Sequence, residues 1–111
     1  MEVLIIGAGA VGSVAAFWLG AAGHHVTALA RAPYVHAVRQ RGLLVEQEGR
    51  AQRAQHLDVV NAIAPLEDAH FDLVLITTKV FDTAVAAVQA SPFVRRGAQV
   101  LIVQNGIGGT E

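Results

Sequence analysis

The chain has 111 residues, 53% of them hydrophobic, with a formal net charge of −1 and no cysteine. That length suits one domain with one core, and the near-neutral charge gives no reason to expect nucleic acid or an anionic membrane as partner. The missing cysteine excludes a disulfide scaffold, a thiolate metal site and a cysteine nucleophile, and fits a cytoplasmic protein.

Val3-Leu4-Ile5-Ile6 reads as a short buried strand that stops at Gly7, and a helix follows from about Ala10. Gly7, Gly9 and Gly12 have the G-x-G-x-x-G spacing of a dinucleotide-binding turn. Gly7 permits the tight turn, Gly9 lets a pyrophosphate approach the backbone, and Gly12 lets the helix pack close to the strand. The backbone N–H groups of a first helical turn lack partners and carry the positive end of the helix dipole, so a phosphate is their natural guest. No charge occurs from Val3 to Gly23, about the 20 residues of a membrane span. Glu2 precedes that run instead of a basic segment, and no cleavage site is set off behind it. Its glycines also make it weakly hydrophobic, so a membrane span is not expected. Val11, Val14, Ala15, Trp18, Leu19 and Ala22 instead form the stripe of a helix facing a sheet.

After Gly23, His25 to Ala30 is a second strand. Strand, helix and strand together span about the 30 residues of one βαβ unit, which makes the two strands parallel neighbours. Pro33 opens a helix over Tyr34 to about Arg41, closed by Gly42. Leu43–Glu46 and Ala51–Ala54 flank Gln47-Glu48-Gly49-Arg50 as a hairpin at an exposed edge. A short strand is expected near Val59-Val60, then a turn over Pro65–Asp68. Phe71 to Thr78 is a buried strand delivering Lys79 at its end. Thr83 to Ala90 is expected to be helical, with Ala84, Val85 and Val88 inward. Pro92 to Arg96 follows as a separate short helical piece ended by Gly97. Gln99–Val103 is the last strand, running into the loop Gln104-Asn105-Gly106-Ile107-Gly108-Gly109. The fold class is therefore α/β, a Rossmann-type doubly wound, mostly parallel sheet with helices on both faces and an edge hairpin.

In such sheets ligands bind outside the carboxyl ends of the strands. The glycine turn, Arg31 after the second strand, Lys79 and Asn105 should therefore meet on one edge. NAD-preferring sites place an Asp or Glu roughly 20 residues beyond the turn to hold the ribose hydroxyls. Here that position is Arg31, with no carboxylate near it. A guanidinium suits a 2′-phosphate, which it holds by paired charge-assisted hydrogen bonds. The reading is NADP rather than NAD or FAD, set against an ordinary solvated arginine. Lys79 is the only lysine beside seven arginines. It reads either as a specific ammonium on the ligand edge or as a strand-end residue reaching water. Asn105 reads as a donor to a carbonyl or ribose hydroxyl, or as a turn residue before Gly106. The histidines have no i, i+4 pairing, so no metal site is expected. No G-x-S-x-G elbow and no general acid for a carbonyl reduction stand out.

Ile5-Ile6-Gly7-Ala8-Gly9-Ala10-Val11-Gly12, Ala30-Arg31, Thr78-Lys79 and Gln104-Asn105-Gly106, in that order, resemble the N-terminal domain of the ketopantoate reductase (2-dehydropantoate 2-reductase) family, over essentially the whole chain. The resemblance implies NADPH-dependent reduction of a 2-oxo acid, 2-dehydropantoate, to pantoate on the route to pantothenate and coenzyme A. It implies that Gly7, Ala8, Gly9, Ala10, Val11 and Gly12 hold the pyrophosphate and Arg31 the 2′-phosphate. Lys79 would contact the cofactor, and Asn105 both cofactor and substrate. The family's catalytic lysine and a glutamate lie in a helical C-terminal domain. Residues 1–111 are therefore expected to be an NADP-binding Rossmann domain without that domain and without catalytic residues, inactive alone. Another NADP-dependent 2-oxo acid reductase is an alternative. So is a non-catalytic dinucleotide-sensing module, which usually keeps an acid where Arg31 stands. A methyltransferase, whose ribose also wants a carboxylate there, is a weaker third. Pairing with a second copy near the Asn105 loop stays open.

Overall fold

The computed structural model describes residues 1–78 and 83–103. In chain order the elements are β1 (Glu2–Ile6), α1 (Ala10–Ala21), β2 (His25–Leu29), α2 (Ala32–Arg41), β3 (Leu44–Gln47), β4 (Arg50–Arg53), β5 (Leu57–Val60), a 3-10 turn (Ala64–Leu66), β6 (Leu73–Ile76), α3 (Thr83–Arg95) and β7 (Gln99–Ile102). Five strands form one sheet in the order β5-β2-β1-β6-β7, every pair parallel. The chain thus winds one way from β1 through β2 to β5, and the other way through β6 to β7. The direction of winding reverses between β1 and β6. Crevices open at such a switch point.

Parallel strands covered on both faces read as unbroken apolar runs. Val3, Leu4 and Ile5 of β1 are fully buried. On one face Leu4, Ile6, Val74 and Ile76 pack against Ala86, Ala90 and Phe93 of α3. On the other, Val3, Ile5, Val26 and Leu75 meet Ala16 of α1, and Ala28 and Val59 meet Val35 of α2. Phe93 also stacks edge-on with Phe71, ring centroids 5.2 Å apart. Among the described residues, no helix is long and apolar enough to cross a membrane.

Two expectations about helix faces need correction. In α1 the buried positions are Gly12, Ala16, Phe17 and Gly20, with Ala15 and Leu19 packed beside them. Val14 and Trp18 point outward, Trp18 with 51% of its surface exposed. At Gly20 the helix lies too close to its neighbour for any side chain: a Cβ there would run into the Gln55 carbonyl. Close approach at Gly12, Ala16 and Gly20, with Phe17 beside them, therefore sets the inward face. In α3, Ala84, Val85 and Val88 are exposed, Val88 by 74%, and Ala86, Ala90 and Phe93 face in. The helix also runs unbroken through Pro92 rather than ending before it. The proline removes one helical hydrogen bond, while Ala86, Ala90 and Phe93 on both sides of it are buried against the sheet.

β3 and β4 form a separate two-stranded antiparallel sheet. Glu48 and Gly49 both have positive φ, 54° and 74°, the backbone of a two-residue type I′ turn.

At the amino ends of the strands, His25 bridges three of them. Its Nδ1 lies 2.7 Å from Glu2 Oε1 and its Nε2 2.7 Å from Asp58 Oδ2. Both nitrogens donate only in the imidazolium form. The Glu2 hydrogen bond is the largest influence and raises the His25 pKa; burial opposes it, and the Asp58 hydrogen bond and both negative charges add to the rise, leaving the pKa above the ordinary histidine value. A folded pKa above the unfolded one stabilises the fold at pH values below the unfolded pKa. That contribution disappears as pH rises through the folded pKa. Melting temperatures measured from pH 6 to 9 should therefore fall more steeply for the wild type than for His25→Gln. Parallel curves would show that the bridge contributes nothing.

Candidate functional site

The switch point holds a cleft of about 610 Å³ lined by Gly7, Gly9, Arg31, Tyr34, Thr77 and Thr78, among others, with Val85, Ala86 and Gln89 of α3 opposite. The volume lies within the range of small-molecule and cofactor sites.

The glycine turn contributes Gly7, Ala8 and Gly9 to the lining. Gly7 has φ +93°, and its N–H donates to the Leu29 carbonyl at 3.0 Å. Its own carbonyl accepts the Gly9 N–H at 2.9 Å and the Thr77 hydroxyl. A Cβ on Gly7 would come within 2.6 Å of Thr78 Cγ2. On Gly12 it would come within 2.8 Å of both the Gly7 carbonyl and Thr77 Oγ1. Gly9 is different: a Cβ there would meet nothing within 4 Å. It is the N-cap of α1 and has no side chain to cap the helix. The first helical bond runs from the Ser13 N–H to the Gly9 carbonyl at 2.9 Å. The N–H groups of Ala10, Val11 and Gly12 therefore have no partner within the helix. No acidic side chain sits in that first turn. The turn thus combines unpaired helix N-terminal donors with open space at the Gly9 Cβ position, a combination that suits a phosphate. Ala8 is buried against Ala28, Val35 and Val59, Ala10 is exposed and Val11 half-buried.

Arg31, which also lines the cleft, is the N-cap of α2. Its side chain is exposed, and among the described residues it is the one charged group lining the cleft. Three residues on, Tyr34 is half-buried, its hydroxyl 2.7 Å from Ser13 Oγ on α1. Gly7 to Gly12 and Arg31 are thus brought to one edge, as their positions at strand ends imply. Lys79 and Asn105 lie outside the described residues.

Sequence reasoning passed over Tyr34, Asn61, Thr77, Thr78 and Gln89 in the lining. Thr77, Thr78 and Asn61 follow the ends of β6 and β5, and that position was the available signal. Thr78 Oγ1 is buried with no hydrogen-bond partner among the described residues.

A family model described as ketopantoate reductase PanE/ApbA matches residues 3–111. The 2-dehydropantoate 2-reductase of Pyrococcus horikoshii is 35% identical over 112 residues, covering 100% of this chain and 35% of that protein. The chain thus spans about a third of the length of the curated relatives it matches. Among solved structures, a PanE/ApbA family ketopantoate reductase from Ralstonia eutropha superposes with a TM-score of 0.81 at 34% identity, over 95% of this chain and 34% of that one. A ternary structure of D-mandelate dehydrogenase with NADH and anilino(oxo)acetate superposes at 0.82 with 24% identity, over 95% and 34%. At that identity the likeness is one of fold.

Proposed function

The chain belongs to the ketopantoate reductase family, and we propose that it is the NADP(H)-binding domain, residues 1–111, of a cytoplasmic NADPH-dependent 2-dehydropantoate 2-reductase. The single observation carrying the cofactor choice is the charge of the cleft. Arg31 lines it at the end of β2, and no Asp or Glu lines it among the described residues.

The residues would act as follows. The N–H groups of Ala10, Val11 and Gly12 receive the pyrophosphate, with Gly9 leaving room for it. The Arg31 guanidinium pairs with the 2′-phosphate. Lys79 contacts the cofactor, and Asn105 contacts cofactor and substrate. NADPH, when bound, supplies the hydride for the 2-oxo carbon. The alcohol also needs a proton, and no His, Asp or Glu lines the cleft among the described residues. We assign the proton donor to the remainder of the reductase, so these 111 residues alone should bind NADPH without turning over ketopantoate.

The D-mandelate dehydrogenase structure has NADH on the same fold, so the fold by itself selects neither cofactor, and a related 2-oxo acid reductase is the second reading. A fluorescence titration of the chain with NADPH and NADH decides the cofactor. Tighter binding of NADPH is the expected result. Equal or tighter binding of NADH would overturn the NADP reading and favour a sensing module.

A further inference from the structure

Tyr34 lines the cleft together with the glycine turn and Arg31 and is placed where it can control how those two relate. Its ring packs against the cluster of Ala8, Ala28, Val35 and Val59, and so is anchored on the apolar side. Its hydroxyl meets Ser13 Oγ at 2.7 Å in a half-buried setting. Ser13 is the residue whose N–H closes the first hydrogen bond of α1, onto Gly9. Tyr34 lies in the first turn of α2, three residues beyond Arg31. This hydrogen bond therefore ties the turn that presents the phosphate cradle to the turn that presents the guanidinium.

We infer that the Ser13–Tyr34 pair is a strut fixing the separation of the glycine turn and Arg31, which makes Tyr34 a positioning residue for selection of the 2′-phosphate. The inference rests on the NADP(H) reading. In NADPH the pyrophosphate and the 2′-phosphate hang from one ribose, so their spacing is set covalently. Both can be held at full strength only if the two protein anchors keep the matching distance. A preorganised pair of anchors avoids an ordering cost on binding, and small misplacements are expensive for directional charged contacts. NADH has no 2′-phosphate and engages only the glycine turn of the two. Its affinity should not depend on the strut. The Tyr34 hydroxyl has Ser13 as its partner, and the part assigned to it is to hold geometry.

The test is titration of the 111-residue chain and its variants with NADPH and NADH, with a thermal melt for each. Tyr34→Phe, which keeps the ring, should raise the NADPH Kd about three- to tenfold, the worth of one hydrogen bond, and leave the NADH Kd where it was. Ser13→Ala should do the same, and the double variant should be no worse than either, since both remove one interaction. Ser13→Thr keeps the hydroxyl and should keep the wild-type NADPH-to-NADH ratio. Equal losses for both cofactors, or an unchanged NADPH Kd, would overturn the strut. A wild-type chain without preference for NADPH would instead overturn the NADP reading on which it stands.

Discussion

The Gly9→Val variant is expected to lose binding of NADPH and NADH alike while still folding. The three glycines of the turn have different reasons to be glycine. Gly7 needs its positive φ and the room taken by Thr78, and Gly12 abuts the Gly7 carbonyl. Those two are required by the protein's own atoms. Gly9 is not, because its φ of −86° is open to any residue and a Cβ would meet nothing within 4 Å. Valine there would put two methyl groups in front of the unpaired N–H groups that start α1. A charge-assisted hydrogen bond contributes about 1.5–3 kcal/mol. Losing two would raise the Kd by roughly a hundredfold to ten-thousandfold. The fold should lose only about 1 kcal/mol of N-cap preference, a shift of a few degrees in Tm. Titration of both cofactors beside a melting curve measures the two effects separately. Wild-type affinity in this variant would mean that no pyrophosphate sits on the turn.

The glycine turn and the place of Arg31 in the candidate site were legible because they depend on backbone and on chain position. Glycine spacing reports a turn directly, and the end of a buried apolar run reports which edge a residue such as Arg31 will occupy. The strands were legible for the same reason: Val3–Ile6 and Leu73–Ile76 are apolar without interruption, as doubly covered strands must be. Helix faces were less so. Hydrophobicity alone puts Val14 and Trp18 of α1 on the stripe, whereas close approach to Gln55 and Gly7 turns Gly12, Ala16 and Gly20 inward. In α3, Pro92 signals a break by sequence, but the helix continues through it and Phe93 is buried against Phe71. Contacts between distant segments were not legible at all. Ser13 and Tyr34 meet only because α1 and α2 cover the same face of the sheet. His25 bridges Glu2 and Asp58 only because β2 lies between β1 and β5.

Arg31→Ala should separate the two cofactors where Gly9→Val does not. The Arg31 side chain is exposed and has no hydrogen-bond or ion-pair partner among the described residues. Removing it therefore costs the fold little, within about 0.5 kcal/mol for such a surface position. What is lost is the paired contact to the 2′-phosphate, worth about 1.5–3 kcal/mol, or roughly ten- to a hundredfold in NADPH affinity. NADH, lacking that phosphate, should bind as before. Arg31→Lys keeps the charge but not the planar fork, so it should fall between wild type and alanine. Because the contact is exposed, raising the salt should shrink the difference between wild type and alanine for NADPH. An equal loss for NADPH and NADH would carry a different meaning. The guanidinium would then be acting on a part both molecules share, such as the adenine ring, and the missing carboxylate would be the remaining argument for NADP.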